Sequence, residues 1–127
     1  MLGYGWLGAD IGILTAVSLS WMEVVGAQAR ELDQIVFDGY LTGLHDAGWR
    51  GDPRLVRFAY LATAAMAIGA AGAIIHAALV WPDEDSARGM EEIIGHNRAA
   101  VHAQQAIVQP FLLDLEDEAL ELMDSLR

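Results

Sequence analysis

The sequence predicts an all-α protein, a helical bundle that takes in residues 1–127 as a single domain. Three observations predict it. Apolar residues recur at three- and four-residue steps over 29–47 and again over 111–126. A long uncharged run, 58–81, reads as one continuous helix. Between these segments stand the residue types that start and stop helices, Asp-Pro at 52–53, Pro82 and Gly95. With 127 residues the chain is long enough to bury roughly two-thirds of the surface its unfolded form exposes.

Taken in order, residues 1–9 hold three glycines and two aromatics ahead of Asp10, a composition suited to a tight surface turn. Asp10 is the expected N-cap of a first, buried helix that runs to about Val25. Over 29–47, Leu32, Ile35, Val36, Tyr40 and Leu44 share one face while Glu31, Asp38 and Asp46 fall off it, which predicts an amphipathic helix. The turn 48–53 should fold it back into a hairpin, with Asp52 as N-cap and Pro53 at the first helical position of the next helix. That next helix carries the uncharged run. Ser86 to Ile94 reads as a short helix closed by Gly95, and residues 97–126 as one or two more, with a break or kink near Gln109 because Pro110 cannot donate a backbone hydrogen bond. The last helix should expose its carboxylates and bury Leu112, Leu115, Ala119, Leu122 and Leu126.

Charge excludes several functions. Asp and Glu number 18 against 7 Lys plus Arg, a formal charge of -11, and such a surface repels phosphate backbones, so nucleic acid is excluded as a partner. Every basic residue is an arginine. Without lysine there is no Schiff-base chemistry and no lysine to hold nucleotide phosphates. Without cysteine there is no disulfide or thiolate ligand, and a reducing compartment is permitted. No basic leader precedes the first apolar segment, and the expected compartment is the cytoplasm.

Candidate chemistry is sparse. His45, His76, His96 and His102 include no pair three or four residues apart, so no metal site is predicted, and the Glu92/His96 pair supplies only two ligands. His76 reads as a core histidine bonded to a nearby carbonyl or hydroxyl. The glycines at 3, 5 and 8 lack the lysine that follows a phosphate-cradling loop. Trp6, Trp21, Trp49 and Trp81 are spread along the chain and read as core aromatics. The residues therefore assign no catalytic, cofactor-binding or metal-binding role; Asp10, Asp52 and Pro53 are assigned structural ones.

Residues 37–58, FDGYLTGLHDAGWRGDPRLVRF, resemble the C-terminal helical subdomain of the aminoglycoside phosphotransferase and choline kinase-like family. Gly8-Ala9-Asp10-Ile11-Gly12 is similar to the family segment shortly after its metal-binding aspartate, and residues 111–119, FLLDLEDEA, to its closing helix. The resemblance implies a kinase-like protein whose nucleotide lobe precedes a helical lobe, and which moves the ATP γ-phosphoryl group to a hydroxyl with Mg. The family's lysine, catalytic-loop aspartate and metal-binding aspartate have no counterpart here: there is no lysine, no His-Gly-Asp, and no aspartate before Asp10. ATP and Mg are thus implied only for a full-length relative. The expectation is a C-terminal lobe fragment without ATP-dependent activity of its own, with an apolar face for the N-terminal nucleotide lobe or for a second copy. Two other readings stand beside it. The run 58–81 is long enough to span a bilayer, flanked by Arg54 and Arg57 before it and by Asp83, Glu84 and Asp85 after it; and the amphipathic helices could serve a freestanding interaction module.

Overall fold

The computed structural model describes residues 6–80 and 83–127; the glycine-rich start at 1–5 and the expected stop at Trp81-Pro82 lie outside them. Among the described residues all regular structure is helical: α1 (Ala9–Ser20), a turn of 3-10 helix (Gly26–Gln28), α2 (Ala29–Asp46), α3 (Pro53–Val80), α4 (Glu84–Ile94) and α5 (Arg98–Ser125). The all-α class read from the sequence is what the structure has.

Helix α3 is the axis of the fold. Its Val56, Tyr60, Ala64, Ile68, Gly72 and Ile75 repeat every three or four residues and are all buried. Helix α1 runs parallel to it, so that Gly8 meets Val56, and Gly12 meets Tyr60 and Ala64. Helix α5 runs antiparallel on another side, pairing Glu118 with Arg57 at one end and His102 with His76 at the other. Leu19, Leu61, Val108, Phe111, Leu112 and Leu115 complete the main core. A smaller cluster of Ile75, Ile94 and Val101, with Met22 and Met90 against it, seats α4.

The first helix departs from expectation at both ends. Its N-cap is Gly8, not Asp10. Gly8 has φ 97°, and a Cβ there would lie 2.5 Å from the Val56 carbonyl oxygen, so only glycine fits the entry turn. Its N–H donates to the Tyr40 hydroxyl at 3.3 Å. Asp10 lies in the first turn, exposed and without a capping hydrogen bond, where its charge faces the positive end of the helix.

The helix stops at Ser20 rather than near Val25, because a side chain from α5 satisfies the backbone in its place. Gln104, 5% exposed, accepts the Gly26 N–H at 2.7 Å and donates to the carbonyls of Leu19 at 3.2 Å and Val24 at 2.8 Å. Met22 takes φ 60° within the turn so formed. Gln104→Ala removes the partners of the Gly26 N–H and the Val24 carbonyl, and denaturant unfolding should show a loss of about 2 kcal/mol.

The hairpin between α2 and α3 forms through a turn in which Gly48 has φ 91° and the Trp49 N–H donates to the Leu44 carbonyl at 2.9 Å. Helix α3 begins at Pro53, and Asp52 accepts the Arg54 N–H at 2.9 Å. Hydrogen bonds from the Arg54 side chain and backbone hold the Asp52 carboxyl below the usual carboxylate range. On α2, Leu32, Val36, Tyr40 and Leu44 are half-buried, whereas Ile35, assigned to the same face, is 63% exposed.

Helix α4 is capped by Asp83, which accepts the Ser86 N–H at 2.9 Å, and ends at Gly95 with φ 78°. That backbone hydrogen bond pulls the Asp83 pKa below the ordinary aspartate value of 3.8. The contribution of the cap is therefore complete above the unfolded value and lost as the pH falls through the lower folded one. Amide exchange at Ser86 and Ala87 should speed up in that acid window while the α5 core stays protected.

No break interrupts α5, which continues through Pro110 as one helix from Arg98 to Ser125. Pro110 and Ala106 both face solvent, so the carbonyl that loses its donor is hydrated. Val108, Phe111 and Leu112 on either side are buried and anchor the helix in the core across the gap. Asn97 caps the start by accepting the Ala100 N–H at 2.9 Å.

Candidate functional site

Helix α1 is built inside out. The residues it turns toward α3 are small or polar: Gly12, Thr15, Ala16 and Ser20 are all buried, with Leu19. Apart from Leu19, large apolar side chains of this helix form an outward stripe, Ile13 at 51% and Leu14 at 55% exposure, continued by Val17 and by Trp21 just past its end. The close approach explains the inner face, since a Cβ on Gly12 would come within 2.6 Å of the Tyr60 carbonyl oxygen. Thr15 finds a buried partner in the Tyr60 hydroxyl at 3.0 Å. Burial pushes the Tyr60 phenol well above the ordinary tyrosine value, against the lowering effect of the Thr15 bond.

Next to this stripe Trp6, Leu7, Trp49, Asp52, Leu55 and Val56 line an open apolar cavity of about 530 Å³. Trp6 is 78% exposed. Hydrating such apolar surface is unfavourable. Thus the first helix, expected to be buried, is buried on one side only, and of the tryptophans expected in the core Trp6, Trp21 and Trp49 are not there, while Trp81 lies outside the described residues. Trp6 and Trp21 are exposed and Trp49 stacks on His45 with centroids 6.1 Å apart; the buried aromatics of the core are Tyr60 and Phe111.

The histidines do not converge. His45 and His96 are exposed, and Glu92 beside His96 is exposed too. His76 is exposed rather than a core residue, lying edge-on to the half-buried His102 at 6.1 Å. Among the described residues no three His, Asp or Glu side chains are grouped so as to hold a metal ion. Asp10, Asp52 and Pro53 sit at the starts of α1 and α3, and the structure brings Asp52 alone to the apolar cavity.

One charged cluster was not legible in the sequence. Arg57 on α3 donates to both carboxylate oxygens of Asp33 on α2, at 2.7 and 3.0 Å, and to both of Glu118 on α5, each at 2.8 Å. Its guanidinium lies 5.0 Å over the Phe37 ring and 5.2 Å over Tyr60. Burial opposes the charge, but the hydrogen bonds to Glu118 and Asp33 outweigh it and drive the Arg57 pKa up. Four of the five guanidinium N–H donors are taken up by the two carboxylates, so the cluster joins three helices. An arginine directly before the uncharged run was the only signal.

By length and composition Pro53–Ala77 could cross a membrane, with mean hydropathy 1.9, while 44% of that window is buried inside the protein. Compared with protein-family models, with curated proteins and with solved structures, the chain matches none.

Proposed function

We propose that the chain is the C-terminal helical portion of an aminoglycoside phosphotransferase-like, ATP-dependent small-molecule kinase, inactive alone and built to seat a nucleotide-binding lobe. The observation that carries the reading is the reversed polarity of α1, whose large side chains Ile13, Leu14, Val17 and Trp21 face outward. Such a helix is stable when a second body covers it. The resemblance at residues 37–58 supplies the family, and the absence of lysine is why no ATP site is assigned within the chain.

Calorimetry on the purified chain tests the catalytic half of the proposal. ATP with Mg should not bind more tightly than about 1 mM, or roughly -4 kcal/mol, and tighter binding would refute it. The seating half is tested with an apolar dye: Leu14→Asp with Val17→Asp should reduce dye binding and abolish any self-association through α1 while leaving helix content intact. Unchanged dye binding in that variant would place the open surface elsewhere.

A membrane span at Pro53–Ala77 is the second reading, favoured by its hydropathy. Against it stand α1 and α5 packed on the same helix and the three-helix ion cluster at Arg57. Recovery of the chain only in detergent would decide for the span.

A further inference from the structure

Helix α5 exposes a second apolar strip outside the stripe that packs inward. Leu113 and Leu120 are 60% and 55% exposed, and Met123 is half-buried beside them. Across from Leu120 and Met123, α3 presents Phe58, Ala62 and Met66, the last 73% exposed. Because α3 and α5 are antiparallel neighbours, these side chains form the walls of an open groove of about 420 Å³.

We propose that this groove is a docking site for a basic amphipathic helix of a partner protein. Its size and lining suit apolar anchors spaced three and four residues apart on such a helix. Methionines at 66 and 123 give walls that adapt to the anchors. The charges are one-sided. The α3 wall has no charged residue from Phe58 through Ile75, whereas the α5 wall carries Glu116 in the groove, with Asp117 and Glu121 exposed on the same helix. Glu116, Asp117 and Glu121 form no ion pair among the described residues. Lysines or arginines along one edge of the incoming helix would face those carboxylates. The chain's charge of -11 steers a basic partner in and opposes both a second copy and an anionic membrane. The inference is independent of the kinase reading and shares no residue with the α1 stripe.

The probe is a synthetic amphipathic helix of leucine and lysine, titrated against the full chain by fluorescence anisotropy. The decisive variant is Met66→Asp with Leu120→Asp, which adds negative charge while spoiling the apolar walls. A groove loses affinity by about tenfold or more; simple charge attraction gains it. Both positions are exposed, and Met66→Gln with Leu120→Gln provides an uncharged second variant, with circular dichroism reporting the fold. Leu14→Asp on α1 should leave peptide affinity unchanged within error. Binding that weakens in both groove variants supports the proposal. Equal or tighter binding in the aspartate variant overturns it. So does a dimer of the unmodified chain that the groove variants dissolve, and so does groove-dependent binding to neutral phosphatidylcholine vesicles with none to the peptide.

Discussion

Arg57→Met should be the most damaging single substitution at a polar position, lowering unfolding free energy by about 3–5 kcal/mol. The methionine replaces the stem and keeps contact with Phe37 and Tyr60, but Asp33, whose side chain is 15% exposed, loses its partner. Glu118 is 42% exposed and can turn to water, so its share of the loss is smaller. Asp33→Asn in the same chain should return a large part of the deficit, because a neutral amide is far less costly to bury than an unpaired carboxylate. Urea unfolding of the two single variants and the double variant measures the coupling. Strict additivity would show that the ion pair is not what joins α2 to α3.

Gly12→Val should follow, at about 3 kcal/mol. On an exposed helix, replacing an interior glycine generally stabilises, by up to about 1 kcal/mol for alanine. Here even alanine should destabilise, since its Cβ would sit 2.6 Å from the Tyr60 carbonyl oxygen and 3.0 Å from the Ala64 nitrogen. Backbone atoms of a central helix cannot give way, so α1 must move off α3 and uncover Ala16 and Leu19. The reversal of sign between an exposed site and this one is the diagnostic result. A thermal melt of Gly12→Ala at or above the unmodified chain would mean that α1 is not held at this distance.

The pattern of apolar residues was enough to place α2, α4 and the length of α3, because in each the period and the punctuation agree. It misled where a distant residue decides the local outcome. Asp10 looked like a cap from its place before an apolar run, but the close pass of Gly8 under Val56 sets the start of α1 two residues earlier. Pro110 looked like a kink or a break, and no break occurs: the helix runs on, with Pro110 and Ala106 on its exposed side and Val108, Phe111 and Leu112 buried. Arg57 could not be paired in advance, since Asp33 and Glu118 come from opposite sides of it in the chain. The outward stripe of α1 did have a signature. Gly12, Ala16 and Ser20 at four-residue spacing in an apolar helix mark the face that meets a neighbour closely, and leave the larger residues to face away from it.

Gln104 also has a meaning for how the protein opens. One amide on α5 takes up the Leu19 and Val24 carbonyls and the Gly26 N–H, so the turn after α1 keeps only its own backbone bonds, Trp21 N–H to the Val17 carbonyl, Met22 N–H to Leu19 and Val24 N–H to Ser18, when α5 lifts. The first and last helices, some eighty residues apart in the chain, therefore belong to one cooperative unit, and the Gly26 amide should exchange with solvent at the rate at which the N-terminal half of α5 detaches.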